Sequence, residues 1–261
     1  MAPNGEVYVA GTTDSKDWPK IELIHFGNVG ATDGFIVRLD PTGKLRPVGV
    51  RIGGSGEESL AGIDLDSHGD IYAVGTTNSP NFPVKGPSLG KVGSAFVAKI
   101  SGQRFADKQG GVVWSRRIGG HGEDALWSVS AGLPGSIFVS GRSGSSDFPT
   151  TKGAIYRHLE ARNDSTLAEL RAYDGGIQFA TFVGGTRHQE ANWYNDEATG
   201  VVANASGDVY VTGCTLDNRF PVTPSALQTR PAGNADAFVL RMRFVSSQQA
   251  VQVDNDRKSK R

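Results

Sequence analysis

Apolar residues in this chain fall in short runs of β-branched and aromatic side chains separated by glycine-bearing turns, so it reads as many short strands. One phrase returns four times: Gly-Glu-Val-Tyr-Val-Ala-Gly-Thr-Thr at Gly5 to Thr13, Gly-Asp-Ile-Tyr-Ala-Val-Gly-Thr-Thr at Gly69 to Thr77, Gly-Ser-Ile-Phe-Val-Ser-Gly at Gly135 to Gly141, and Gly-Asp-Val-Tyr-Val-Thr-Gly at Gly207 to Gly213. An aromatic-proline pair follows each copy, at Trp18-Pro19, Phe82-Pro83, Phe148-Pro149 and Phe220-Pro221, with spacings of 64, 66 and 72 residues. Recurrence at a fixed period means that one supersecondary unit is copied and stacked.

Two further elements recur. The first is Ile52-Gly53-Gly54, Ile118-Gly119-Gly120 and Val183-Gly184-Gly185; the second is Phe35 to Leu39, Phe96 to Ile100 and Phe238 to Met242, with a drifted copy near Leu167 to Tyr173. Each period holds four strands, which in the second unit are Gly62 to Asp66, Asp70 to Thr76, Ala95 to Ile100 and Val112 to Ile118. The turn Asp66-Ser67-His68-Gly69 fits a tight hairpin with glycine at positive φ, and Asn204-Ala205-Ser206-Gly207 repeats it. Four antiparallel strands per period predict an all-β fold, a β-propeller of about four four-stranded blades with the chain starting partway through a blade. The blade periods lie near 1–60, 61–125, 126–197 and 198–254, forming one domain over 1–254 and leaving a basic tail at 255–261. Ala250 to Asp254 is the expected outer strand of the fourth blade, or the missing inner strand of the first.

The compound motif Gly-Gly-x-Gly-Glu/Asp, an apolar strand, Gly-Asp/Glu-Val/Ile-Tyr-Val-x-Gly-x-Thr and Asp/Asn-Phe-Pro resembles the bacterial SBBP β-propeller repeat family, whose blade layout is similar to that of NHL propellers. The resemblance spans the chain apart from its tail. It implies a propeller, often secreted or displayed at the cell surface, and brings no catalytic residues. The third unit departs from the pattern, with seven extra residues between Gly185 and Gly200 and no aromatic in Leu167 to Tyr173.

Alternating strand direction places the long segments Asp14 to Thr32, Asn78 to Gly93, Gly144 to Ser165 and Leu216 to Asn234 on one face, with the glycine-pair corners, and that face is the expected binding surface. The third unit's insertion supplies Arg187, His188, Glu190, Trp193 and Tyr194, residue types that make interface hot spots or cover a blade end. Equivalent corners carry Glu57 and Glu58, and His121, Glu123 and Asp124. A carboxylate recurs before the inner strand as Glu58, Asp124 and Asp196, and this points to a job shared by every blade, accepting N–H bonds from the neighbouring turn.

With 27 basic and 27 acidic residues, the chain has no general pull on nucleic acid or anionic membrane, and its basic tail reads as a solvated end. No apolar run approaches the length needed to span a bilayer, and the opening residues do not read as a secretory or transit segment. The lone Cys214 excludes an internal disulfide and a cysteine-rich metal site, and reads as a small strand residue. Asp64 to Asp70 superficially resembles a calcium loop without EF-hand spacing, while His121 and His188 lack a third zinc ligand, so no cofactor or metal is expected. No nucleophile elbow, phosphate loop, dinucleotide fingerprint or zincin helix is present.

Three functional readings follow. The first is a non-enzymatic module binding a protein or glycan partner through the long-loop face. The second is a structural subunit of a larger assembly. The third is a glycan-active hydrolase or lyase using His121, Glu123, Asp124, His188 and Glu190 at the channel mouth.

Overall fold

Each copy of the recurrent phrase forms a strand in a sheet of its own, paired directly with the third-strand element of its unit. The computed structural model describes residues 5–17, 22–44, 47–87, 89–90, 93–106, 111–160, 162–185, 196–217 and 219–244. Sheet I comprises β1 (Val7–Thr13), β2 (Glu22–Gly27), β3 (Asp33–Leu39) and β4 (Val48–Gly53) in the order β1-β3-β4-β2. Sheet II comprises β5 (Glu58–Leu65), β6 (Ile71–Thr77), β7 (Leu89–Gly90), β8 (Ala95–Ile100) and β9 (Val112–Gly119) in the order β5-β6-β8-β9-β7, with the one-turn helix α1 (Gly102–Ala106) between β8 and β9 in the chain. Sheet III runs β10 (Asp124–Ser130), β11 (Ser136–Ser143), β12 (Asp164–Arg171) and β13 (Ile177–Val183). Sheet IV has β14 (Asp196–Ala203), β15 (Asp208–Thr215) and β16 (Asp236–Arg243).

The fold is thus all-β in four sheets. In sheet I, β1 is the innermost strand among the described residues. Both expected hairpins form: Gly69 and Gly207 sit at φ near 80° and 84°, and the Asp66 and Asn204 side chains accept N–H bonds from two residues each across the turn.

Three expectations are corrected. The inner strand of the second unit begins at Glu58 rather than Gly62, because pairing with β6 continues across a bulge between Leu60 and Gly62 to Glu58 opposite Thr77. The long segments are not simply loops on one face. Asp14 to Thr32 contains β2 and Asn78 to Gly93 contains β7, and both pair parallel with the fourth strand of their own sheet. Gly144 to Ser165 also reaches the fourth strand of its sheet, through an antiparallel bridge from Tyr156 to Phe182. An outer strand otherwise presents a row of unpaired N–H and C=O groups, and these segments cover it. Finally, the third strand of the third unit is regular and lies at Asp164–Arg171, upstream of the drifted copy near Leu167 to Tyr173.

Register explains that drift. Phe35, Phe96 and Phe238 stand opposite Gly11, Gly75 and Gly213, whereas Thr166 stands opposite Gly141. The missing ring is supplied from the neighbouring strand by Phe182, directly across from Thr166. The aromatic-proline rings dock on these residues, Phe82 on Phe96 at 4.8 Å, Phe148 on Phe182 at 5.4 Å and Phe220 on Phe238 at 4.6 Å, so they anchor the scaffold.

Burial follows chain order. One core forms between sheets I and II around Ile36, Val50, Ile71 and Ile100, a second between II and III around Tyr72, Trp114, Val139 and Leu170, and a third between III and IV around Phe138, Leu167, Val211 and Met242. Each sheet has an upstream face toward its predecessor and a downstream face toward its successor.

Candidate functional site

The glycine-pair corners are built around the recurrent carboxylate. Glu58 accepts from the Gly54 N–H at 2.8 Å and from the Thr77 hydroxyl at 2.5 Å. Asp124 accepts from Gly120 N at 3.0 Å, Ser145 Oγ at 3.0 Å and Ser143 Oγ; Asp196 accepts from Gly185 N at 3.1 Å. The role read from their recurrence, tying the turn that enters each new sheet, is the role they hold. A second tie comes from the segment after the phrase: Ser79 Oγ accepts from Gly56 N at 2.7 Å and Ser145 Oγ from Gly122 N at 2.8 Å.

His121, Glu123 and Asp124 share the corner that enters sheet III but do not converge. Asp124 is buried, and burial raises its pKa while the Ser143, Gly120 and Ser145 donors oppose the rise. Its carboxylate is an internal tie. His121 is exposed and its Nδ1 lies 2.6 Å from Asp147 Oδ2, while its N–H donates to Asp147 Oδ1 at 2.9 Å; the His121 N–H, followed by its ring, holds Asp147 below the usual carboxylate range. Ser55 makes the matching contact to Asn81 in sheet II, so His121 too serves its corner. Glu123 extends an exposed side chain and uses only its carbonyl, accepting from Gly144 N at 2.8 Å. Arg187, His188, Glu190, Trp193 and Tyr194 lie outside the described residues, as does Ala250 to Asp254.

In the corner of sheet IV, burial raises Asp196 to about 6; the Thr215 hydroxyl and Gly185 N–H oppose this, and Asp164 and Asp217 add to it. The calcium-like stretch is spoken for internally: Asp64 accepts from the amides of Leu65 and Ala131, and Asp66 from those of His68 and Asp70 and from the Tyr72 hydroxyl. Among the described residues no group of three His, Cys, Asp and Glu side chains is arranged to hold a metal ion. Among the same residues no helix is long and apolar enough to cross a membrane.

Sequence reasoning missed a groove in sheet IV. In sheets I to III a fourth strand lies outside the third, but β16 has no outer neighbour among the described residues. The long segment Leu216 to Asn234 stands away from it, enclosing a groove of about 750 Å³ lined by Phe220, Val222, Leu227, Arg230, Val239 and Arg241 among others. The available signal was the length of that segment.

No family model matches the chain, and neither does any curated protein. Among solved structures, the chain is similar to the crystal structure of xylan β-1,4-xylosidase from Bacillus halodurans C-125, at 15% identity and a TM-score of 0.41 over 93% of this chain and 40% of that one. The chain therefore spans about two fifths of that structure's length, and a likeness at this level bears on no activity.

Proposed function

We propose that the chain is a non-enzymatic, propeller-type recognition module of the SBBP kind, its four sheets acting as blades, and that it binds an extended polypeptide in the groove beside β16. The observation that carries this reading is the groove itself. Sheets I to III hold a strand at the matching position, so the edge of β16, unpaired among the described residues, suits main-chain pairing and the apolar wall suits alternate side chains of a partner strand. Secretion or surface display belongs to the same proposal, through the family resemblance. The hydrolase or lyase reading has less support, because three internal donors occupy the Asp124 carboxylate.

The test uses a fluorescein-labelled peptide with the sequence of Ile177–Val183, the strand that fills this position in sheet III. Binding by anisotropy that is weakened at least tenfold in Leu227→Asp and Val222→Asp, with unchanged thermal melts, supports the groove. Equal affinity in wild type and variants, or no binding alongside a positive glycan array, overturns it.

A further inference from the structure

Among the described residues the two ends of the stack are uncovered, and the repeat itself points to what fits them. On the downstream face the phrase aromatic is Tyr8, Tyr72, Phe138 and Tyr210, and the residue facing the sixth phrase position on the third strand is Ile36, Val97, Leu167 and Val239. Tyr72, Phe138, Ile36, Val97 and Leu167 are all fully buried, whereas Tyr210 is 36% and Val239 75% exposed, with Val202 beside them at 58%. The upstream face mirrors this. Ile71 with Ile100, Ile137 with Leu170 and Val209 with Met242 are buried against the preceding sheet, but in sheet I Leu39 is 36% and Val9 43% exposed, with only Val37 between them buried at 5%.

We propose that the downstream face of sheet IV docks on the upstream face of sheet I of a second copy of this chain. The mode of contact is already used between I and II, II and III, and III and IV, so the two uncovered faces are the halves of an interface that the chain makes three times within itself. One detail favours sheet I as the occupant. At the internal joints the inner strand's downstream position accepts an N–H from the next inner strand, Asp64 from Ala131 at 2.8 Å and Ser130 from Ala203 at 3.0 Å. The matching position in sheet IV is Val202, which accepts nothing, and sheet I has no inner strand among the described residues to present that N–H. An apolar side chain meets a sheet that makes no polar demand at that point. This inference rests on the propeller reading: two four-blade arcs joined head to tail give eight blades, the upper end of the usual four to eight, so the interface closes after two copies.

Sedimentation equilibrium of the full chain is expected to show a dimer. Val202→Glu and Val9→Glu, neither of which touches the groove beside β16, each raise the dissociation constant at least tenfold. An equimolar mixture of the two variants recovers association, because one retains an intact upstream face and the other an intact downstream face. A wild-type monomer at tens of micromolar, or a Val9→Glu variant that dimerises as wild type does, overturns the proposal. Small-angle scattering of the monomeric variants separates the two ideas: an open arc keeps the propeller reading whichever way the dimer test falls, and a compact closed particle removes it.

Discussion

The ring of Phe96 lies over Gly75, where a methyl group would stand 3.0 Å from the ring and 1.9 Å from the Ser59 carbonyl oxygen. The same pairing joins Gly11 to Phe35 and Gly213 to Phe238, and at Gly75, Gly141 and Gly213 a carbonyl of the preceding strand also lies 1.9 Å from the methyl position, so glycine is required there. Gly75→Ala is expected to cost at least ~2 kcal/mol, because the clash with Ser59 is with backbone. Phe96→Ala is expected to cost about 3–5 kcal/mol. Adding Phe96→Ala to Gly75→Ala will not restore stability in urea denaturation, since the Ser59 carbonyl stays where it is.

Asp124 and His121 share a corner and differ in what they support. Asp124→Ala strands the Gly120 N–H and two serine hydroxyls in a buried place, with an expected loss of about 2–3 kcal/mol. His121→Ala removes an exposed pair with Asp147 and is expected to change stability by less than about 1 kcal/mol. Matched thermal melts check the contrast.

Two carboxylates give opposite pH responses in sheet IV. Asp196 titrates at about 6 in the folded protein against 3.8 when unfolded, so its contribution is fully present below pH 3.8 and lost as pH rises through 6. Relative to Asp196→Asn, the wild type should therefore gain stability between pH 7 and pH 4, approaching ~3 kcal/mol at 1.36 kcal/mol per pKa unit. A difference that stays flat over this range contradicts the burial argument.

Asp208 is held at about 2 by hydrogen bonds from Arg243 and Arg241. Its folded value lies below the unfolded 3.8, so its contribution is present above that pH and disappears as pH falls through 2. Asp208→Asn is expected to flatten acid unfolding between pH 4 and pH 2 while leaving the Asp196 response between pH 7 and pH 4 in place. Melting curves across both ranges separate the two groups.

The repeat made the second strands, the hairpin turns at Gly69 and Gly207 and the corner role of Glu58, Asp124 and Asp196 legible, because each depends on neighbours within one unit and is written several times. Sequence also showed the aromatic-proline pairs as a regular repeat, though not the partners of their rings. Phe148 rests on Phe182 rather than on a third-strand ring, and only register across β12 and β13 shows that Phe182 replaces the aromatic lost at Thr166. The candidate surface was read less well: the long segments looked like free loops because outward pairing with a fourth strand, as in β2 and β7, uses backbone groups and needs no particular side chain. The order of secondary elements and their period are local properties, determined by the sequence alone. Which strand edge and which faces are left exposed among the described residues, at β16, Val9 and Val239, depends on contacts between distant units, and the tertiary structure decided them.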